Sequence, residues 1–434
     1  MSYTVFNNRP LIKNSNQYFL EKKYITISSE DRDVTKYPSS SEFELLLPQE
    51  YLNVASARLY SWSFPANYNV FGPLYYNTTM TFKMNKLYNP GEHSYSNIVV
   101  EAIFAALYYH GDQEIAFNIE TGFYNPVQMA TELTNKFNSA TTRVIDLFLD
   151  DPTKWNGVDY TTAKTIFQNS GGYNRFSVVY NAVSQKLWFG NNADQFTLTN
   201  SSFTIAREFI VDSNCKRKNK LPEWSNWGLP YYLGFKRCDT KAVTTAEFLA
   251  TYPQQGTEYV SGDVPRFFYG EAVSGSGDSG FWLVPIFPGA QVYFIEAPFK
   301  ISIMGPAYIY MEIEGWNCID ETIPYNLSQY TATTNQTNGV VNSCFAKIAV
   351  PTTPISQWFD TEQGPYKYWN PPAERISKLK VKFRYHNGIS VEFGQFEYSF
   401  MLELSLLNPQ QERAYSIVNA QDLGQHQSFG SKFF

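Results

Sequence analysis

The chain has 434 residues, a net charge of −6, and as many aromatic as charged side chains, 17% each. That balance excludes a disordered chain, which is poor in aromatics, and the negative charge provides no global field to hold a phosphate backbone. The length suits one large elaborated domain or two ordinary ones, and 43% hydrophobic residues are enough for a core.

The chain opens MSYTVFNNRPLIKNSNQ, which lacks the apolar stretch of a secretory leader. Residues 1–23 read as a polar N-terminal arm. Next comes ITISSEDRDVTKYPSSSEFELLLP: a strand-like alternation over 24–29, an acid–base cluster, a Ser/Pro turn, and a second alternation over 42–47. Arg32 lies between Asp31 and Asp33, just before Tyr37 and Pro38. A guanidinium pairs well with carboxylates or with free carbonyls at a strand end. Asp side chains accept from the amides of their own turn. No His or Cys adjoins the cluster, so a base, a thiol nucleophile and soft metal ligands are missing. Asp31, Arg32, Asp33, Tyr37 and Pro38 are therefore read as a structural turn cluster, with no catalytic, cofactor-binding or metal residues assigned.

Short period-two segments follow between Asn, Gly, Pro and Ser turns: 55–64, 80–84, 114–120, 175–181, 186–190, 195–199, 291–297, 300–304, 308–314, 344–350, 378–386, 389–394 and 397–405. Many short strands at such spacing predict an all-β sandwich or barrel. Asn387-Gly388 is a type I′ hairpin signal, and Gly190-Asn191-Asn192 a weaker one. The most apolar run, Ile98–Tyr109, contains Glu101 and is too short to span a bilayer. Membrane contact would then come through partners or a surface. One short helix is predicted from Asn125: Asn as N-cap, Pro126 at the first position, and Met129, Ala130, Leu133 and Phe137 on one face. It is expected to lie over one edge of the sandwich.

Residues 141–172, 236–282 and 326–342 read as insertions, and 406–434 as a C-terminal arm. The short basic run Cys215–Lys220 reads as a solvated loop. Cys215, Cys238, Cys318 and Cys344 show no CxxC spacing, which argues against zinc and for reduced thiols; Cys215–Cys238 and Cys318–Cys344 disulfides stay open. GSGDSG at 275–280 is similar to the nucleophile loop of trypsin-like peptidases, but none of the four histidines (93, 110, 386, 426) has a fitting context. Asp320 and Glu321 are a candidate carboxylate pair, yet neighbours on an extended chain point to opposite faces. Sequons stand at Asn77, Asn200, Asn326 and Asn335.

The ordered set of these segments resembles a known family. SSEDRDVTKYPSSSEFELLLP followed by NVASARLYSWSFPANYNV resembles the N-terminal signature of the minor capsid and penton proteins of nucleocytoplasmic large DNA viruses. Its parts are an acidic-Arg-Asp turn, a Tyr-Pro, a Phe-containing strand, and a strand ending Phe-Pro, here Phe64-Pro65. GFYNPVQMATELTNKFN (122–138) is similar to the family's helix segment and YYLGF (231–235) to its Leu-Gly-Phe. Segments 308–322 and 343–350 resemble two later core strands, and 368–407 the closing C-terminal hairpin.

The resemblance implies a jelly-roll β-sandwich over 24–405, a single jelly roll being favoured on one end-to-end signature and a double one open on length. It implies a non-enzymatic role in an icosahedral virion shell, assembled in the host cytoplasm, with the major capsid protein and other minor capsid proteins as partners. Homo-oligomer or lattice assembly, no cofactor and no direct nucleic-acid contact are expected with it. A carbohydrate-binding β-sandwich in virion attachment is the second reading, and a hydrolase using Asp320 or Glu321 the third.

Overall fold

A computed structural model describes residues 18–65, 69–85, 97–202, 228–251, 260–261, 264–265, 282–286, 291–322, 342–350, 357–360, 364–386 and 388–409. The elements in chain order are β1 (Tyr18–Ser28), β2 (Glu42–Pro65), β3 (Thr79–Met84), α1 (Ile98–His110), β4 (Glu114–Asn118), α2 (Pro126–Leu149), α3 (Thr161–Asn169), β5 (Phe176–Asn181), β6 (Lys186–Asn191) and β7 (Phe196–Leu198). They continue with α4 (Leu229–Tyr232), β8 (Thr240–Lys241), α5 (Thr245–Thr251), β9 (Val260–Ser261), β10 (Val264–Pro265), β11 (Tyr293–Glu296), β12 (Tyr308–Ile313), β13 (Ile319–Glu321) and β14 (Asn342–Cys344). The last are β15 (Ala346–Ala349), β16 (Gln357–Asp360), β17 (Lys367–Arg384) and β18 (Ser399–Pro409). The fold is dominated by curled antiparallel sheets, the jelly-roll class the sequence predicts. The chain divides into two compact units, one of residues 1–68 with 306–434, the other of 69–305.

The first unit is built on one seven-stranded sheet in the order β1-β18-β2-β17-β12-β15, with β16 also on β2. Every pair in it is antiparallel. The two strands predicted at 42–47 and 55–64 are one 24-residue strand. Asn53 has a positive φ of 51°. The ladders to β17 and β18 both slip near Val54, between Tyr368 and Ala373 and between Ser405 and Leu406. Such bulges bend a strand and raise its twist, which lets one strand turn a corner. Phe64, near the end of β2, is fully buried. Its ring meets Phe383 at 5.3 Å, Phe393 at 5.7 Å and Tyr398 at 4.9 Å. The Phe-Pro that ends the strand thus sets Phe64 at the centre of an aromatic cluster.

The second unit carries a three-stranded sheet, β11-β6-β5, a four-stranded sheet, β4-β3-β7-β8, and most of the helix. Here the expectation of one short helix is corrected. The predicted helix starts where expected, with Asn125 and Gln128 forming a reciprocal capping box and Pro126 at the first turn. It then runs 24 residues, to Leu149, because Ala140, Ile145, Phe148 and Leu149 continue its buried face into the segment read as a polar insertion. The apolar run at 98 forms a second helix, capped by Asn97, and α3 a third.

The polar side of α2 has a specific task. Asn138 donates to Phe176 O (3.0 Å) and accepts from Phe176 N (2.9 Å). Thr134 Oγ1 accepts from Val178 N, and Thr142 Oγ1 from Tyr173 N. Positions 134, 138 and 142 are one helix face. Side chains of α2 therefore satisfy backbone groups along β5, the end strand of its sheet, which is one way proteins cover an edge.

Other departures are local. Segments 300–304 and 389–394 are not ladder strands, although Val391 and Phe393 are buried and Arg384 bridges Ser390. Gly388 takes a positive φ of 85° at the expected hairpin, and Asn387 lies outside the described residues. Asn191 ends β6, and its Oδ1 accepts from the amides of Ala193 and Asp194. In the expected arms, the described parts (18–23 and 406–409) are strand; the remainder lies outside the described residues, as do 215–220, 275–280 and most of 326–342. Among the described residues no helix is long and apolar enough to cross a membrane.

Candidate functional site

The expected turn cluster sits between β1 and β2. Ser29, Glu30 and Asp31 form one turn of 3-10 helix. Arg32 extends back over it and is buried. Its Nη1 donates to Ser29 O at 2.6 Å and to Glu397 Oε2 at 2.5 Å, and its Nε donates to Tyr37 O at 3.1 Å. Ser29 Oγ donates to the same Glu397 oxygen (2.5 Å) and accepts from Tyr398 N (2.8 Å). The Tyr398 hydroxyl donates to Ser40 O. Asp33 Oδ1 accepts from the amides of Thr35 (3.0 Å) and Lys36 (3.2 Å). Glu30 and Asp31 are exposed.

The carboxylate that Arg32 meets is thus Glu397, 365 residues further on. Burial disfavours the ionised form of Glu397, but hydrogen bonds from Arg32 and Ser29, with the charge of Arg32, outweigh it and hold the carboxyl below its ordinary range. Glu397 escapes sequence reasoning because nothing near it in the chain marks it. It lies two residues before β18, and only the β1–β18 ladder brings it to Arg32.

Two further charge clusters involve strands of the same sheet, the second also reaching Glu321 on β13 of the two-stranded β13-β14 sheet. Glu403, its side chain fully buried, accepts from Arg58 at 2.8 Å, Lys22 at 2.9 Å and Tyr366 Oη at 3.2 Å. The Arg58 guanidinium also stacks 4.8 Å from the Tyr366 ring. Burial opposes the Glu403 charge, and the bonds from Lys22 and Arg58 prevail, lowering its pKa. Arg384 pairs with Glu312 and with Glu321, and Glu321 Oε1 also meets His386 Nδ1 at 3.1 Å. This separates the candidate pair: Asp320 is exposed, while the Glu321 side chain is buried against Arg384. Both Glu321 oxygens are engaged, Oε2 by Arg384 and Oε1 by His386, as in a structural ion-pair cluster.

Among the described residues no group of three or more His, Cys, Asp or Glu is placed to hold a metal. The basic run of β17 is met by acids across the ladder: Arg375 by Glu50 (3.4 Å), Lys378 by Glu44 (3.7 Å) and Lys380 by Glu42 (3.3 Å). Those charges are spent within the sheet. Cys238, Cys318 and Cys344 are free thiols, and burial, then the nearby Glu321, push the Cys344 thiol up to about 12. The Asn77 sequon is buried, its side chain accepting from Gly72 N and donating to Val70 O. Gly234, in the Leu-Gly-Phe segment, has φ +92°, and a Cβ there would lie 2.3 Å from Phe299 O.

No protein-family model matches the sequence, and no curated protein does. Two solved structures are similar in fold over 89% of the chain. One is the mavirus penton protein, at 6% identity and a TM-score of 0.33, with 99% of that chain covered. The other is a chain from the Sputnik virophage structure, at 11% identity and a TM-score of 0.37, with 98% covered. Likeness at this level adds nothing to what the strand order already says, and the fold rests on the sheets themselves.

Proposed function

We propose that the chain is a non-enzymatic structural component of the shell of an icosahedral large DNA virus, a minor capsid or vertex protein that contacts and stabilises the major capsid lattice. One observation carries the reading. The two parts of the chain that carry the N-terminal signature, 28–48 with 53–70, and the closing hairpin, 368–407, lie far apart in sequence, yet β2 of the first pairs with β17 and β18 of the second in one sheet. The residues that set the signature are the ones that close the sheet: Arg32 in the turn and Phe64 in the aromatic core. In a jelly roll the strand ends carry loops that pack laterally against neighbours, and a wall of ion-paired strands gives such loops a rigid base. The proposed arms of this reading are 1–23 and 406–434, of which 18–23 and 406–409 are strand, and the turn cluster at Asp31–Pro38 is its proposed clasp. The major capsid protein and other minor capsid proteins are the proposed partners, in the virion.

The test is to map the chain in purified particles and to cross-link it there. Cross-links to the major capsid protein support the reading; a chain missing from intact particles overturns it. Exposed tyrosines on the first sheet, Tyr24, Tyr60 and Tyr368, favour sugar stacking as the second reading. Glycan binding by the isolated chain, lost in Tyr368→Ala, would support that reading instead.

A further inference from the structure

We propose that the edge of β1 facing away from β18, unpaired among the described residues, is a self-complementary interface, where two copies of the chain pair antiparallel about a two-fold axis through Lys22. Strand β1 stands at the end of the sheet order, and among the described residues its ladder partner is β18, on one side. It is 11 residues long. A long edge strand presents a row of backbone donors and acceptors that another strand can complete.

The side chains choose the occupant. Phe19, Leu20 and Tyr24 are 45%, 56% and 50% exposed. With Lys22 opposite Lys22 of the second copy, Leu20 falls opposite Tyr24 and Glu21 opposite Lys23, each occurring twice by symmetry, while Phe19 faces Ile25, which is buried in the core of its own chain. Moving the axis to Glu21 sets Glu21 against itself, Leu20 against Lys22 and Phe19 against Lys23. Moving it to Lys23 sets Lys23 against itself and Glu21 against Ile25. Of these three, only the register centred on Lys22 joins apolar to apolar and acid to base.

The lysines would otherwise guard the edge against pairing. Here both already have acidic partners. Lys22 binds the buried Glu403 at 2.9 Å, a carboxylate it shares with Arg58, so the like charges at the axis are offset in part and screened by solvent at the exposed Lys22. Lys23 binds Glu21 of its own strand at 2.6 Å. In the paired state each Lys23 lies between two Glu21 carboxylates, giving a closed ring of alternating charge. The inference goes beyond the shell reading and does not depend on it, because it concerns two copies alone.

The experiment is sedimentation equilibrium of the full chain and its charge variants at low salt. The wild-type chain should associate to dimers with rising concentration. Glu21→Lys and Lys23→Glu each place like charges opposite one another, so each alone should lose at least about tenfold in association constant. Mixing the two single variants restores opposite charges at both positions and should restore a dimer. The double variant E21K/K23E should dimerise by itself, which separates loss of pairing from loss of folding. A wild-type chain that stays monomeric overturns the proposal. So does association unchanged by Lys23→Glu, or two single variants that fail to complement.

Discussion

Replacing Arg32 by Ala tests the clasp most directly. It removes three donated hydrogen bonds of 3.1 Å or shorter, to Ser29 O, Glu397 and Tyr37 O. Breaking a buried ion pair costs about 3–5 kcal/mol, because the surviving charge loses its partner. The Glu397 side chain is 30% exposed, so water recovers part of that loss. The low end, about 3 kcal/mol, is expected. The loss falls where β1 meets β18, since Ser29 N donates to Tyr398 O and Tyr398 N to the Ser29 hydroxyl beside the pair. Hydrogen exchange by mass spectrometry over Tyr18–Ser28 and Ser399–Pro409 should therefore quicken by roughly a hundredfold. Arg32→Lys keeps the charge but not the planar fork and should fall between the two. Exchange that quickens less than about threefold in Arg32→Ala would refute the clasp.

The same pair has a pH signature with a definite sign. The folded-state pKa of Glu397 is depressed below its ordinary 4.5. Its contribution is therefore fully present above that value and is lost as pH falls through the folded-state pKa. The gap between wild type and Arg32→Ala should be widest near neutral pH and should close in acid, and a gap that widens on acidification would contradict the assignment.

Gly234→Ala should destabilise the second unit by about 2 kcal/mol or more, since the new Cβ meets a backbone carbonyl and φ is positive; urea unfolding measures it, and a neutral result would show that the loop yields freely. Asn138→Ala should cost about 2 kcal/mol, because both backbone groups of Phe176 lose their partner. Faster exchange confined to Phe176–Asn181 would mark it, and unchanged protection there would remove α2 as the cover of that edge. Cys344 should react with a maleimide at neutral pH more slowly than Cys238 or Cys318, as single-cysteine variants would report, because its buried thiol titrates near 12. Equal rates would show that burial does not protect it.

What could be read from the sequence is what short spacing encodes. The N-cap at Asn125, the hairpin glycine at 388 and the alternation of most strands are decided by residues within a few positions of one another. The full length of α2 is not legible because beyond 140 its buried Ile145, Phe148 and Leu149 are interleaved with Thr, Arg and Asp, and the segment reads as a polar insertion. The apolar run of α1 has no polar face, and periodicity cannot separate a buried helix from a buried strand in so short a stretch. Asn53 hid the continuity of β2, since a bulge shifts alternation and reads as a break.

The charged residues teach the opposite lesson. The acids beside Arg32 in the chain suggested a local cluster, but its partner is fixed by the β1–β18 ladder. Arg58 with Glu403 and Arg384 with Glu312 are likewise distant in sequence and on neighbouring strands of the sheet. Each pair joins strands from different parts of the chain, so a wrong strand order or a one-residue slip would leave buried charges unpaired, at several kcal/mol per ion. Register slips are the standing hazard of a long antiparallel sheet. The clasp at Arg32 therefore fixes more than a turn: with the other two guanidiniums it favours one register of the sheet over its neighbours, a selection that apolar alternation alone would make less sharply.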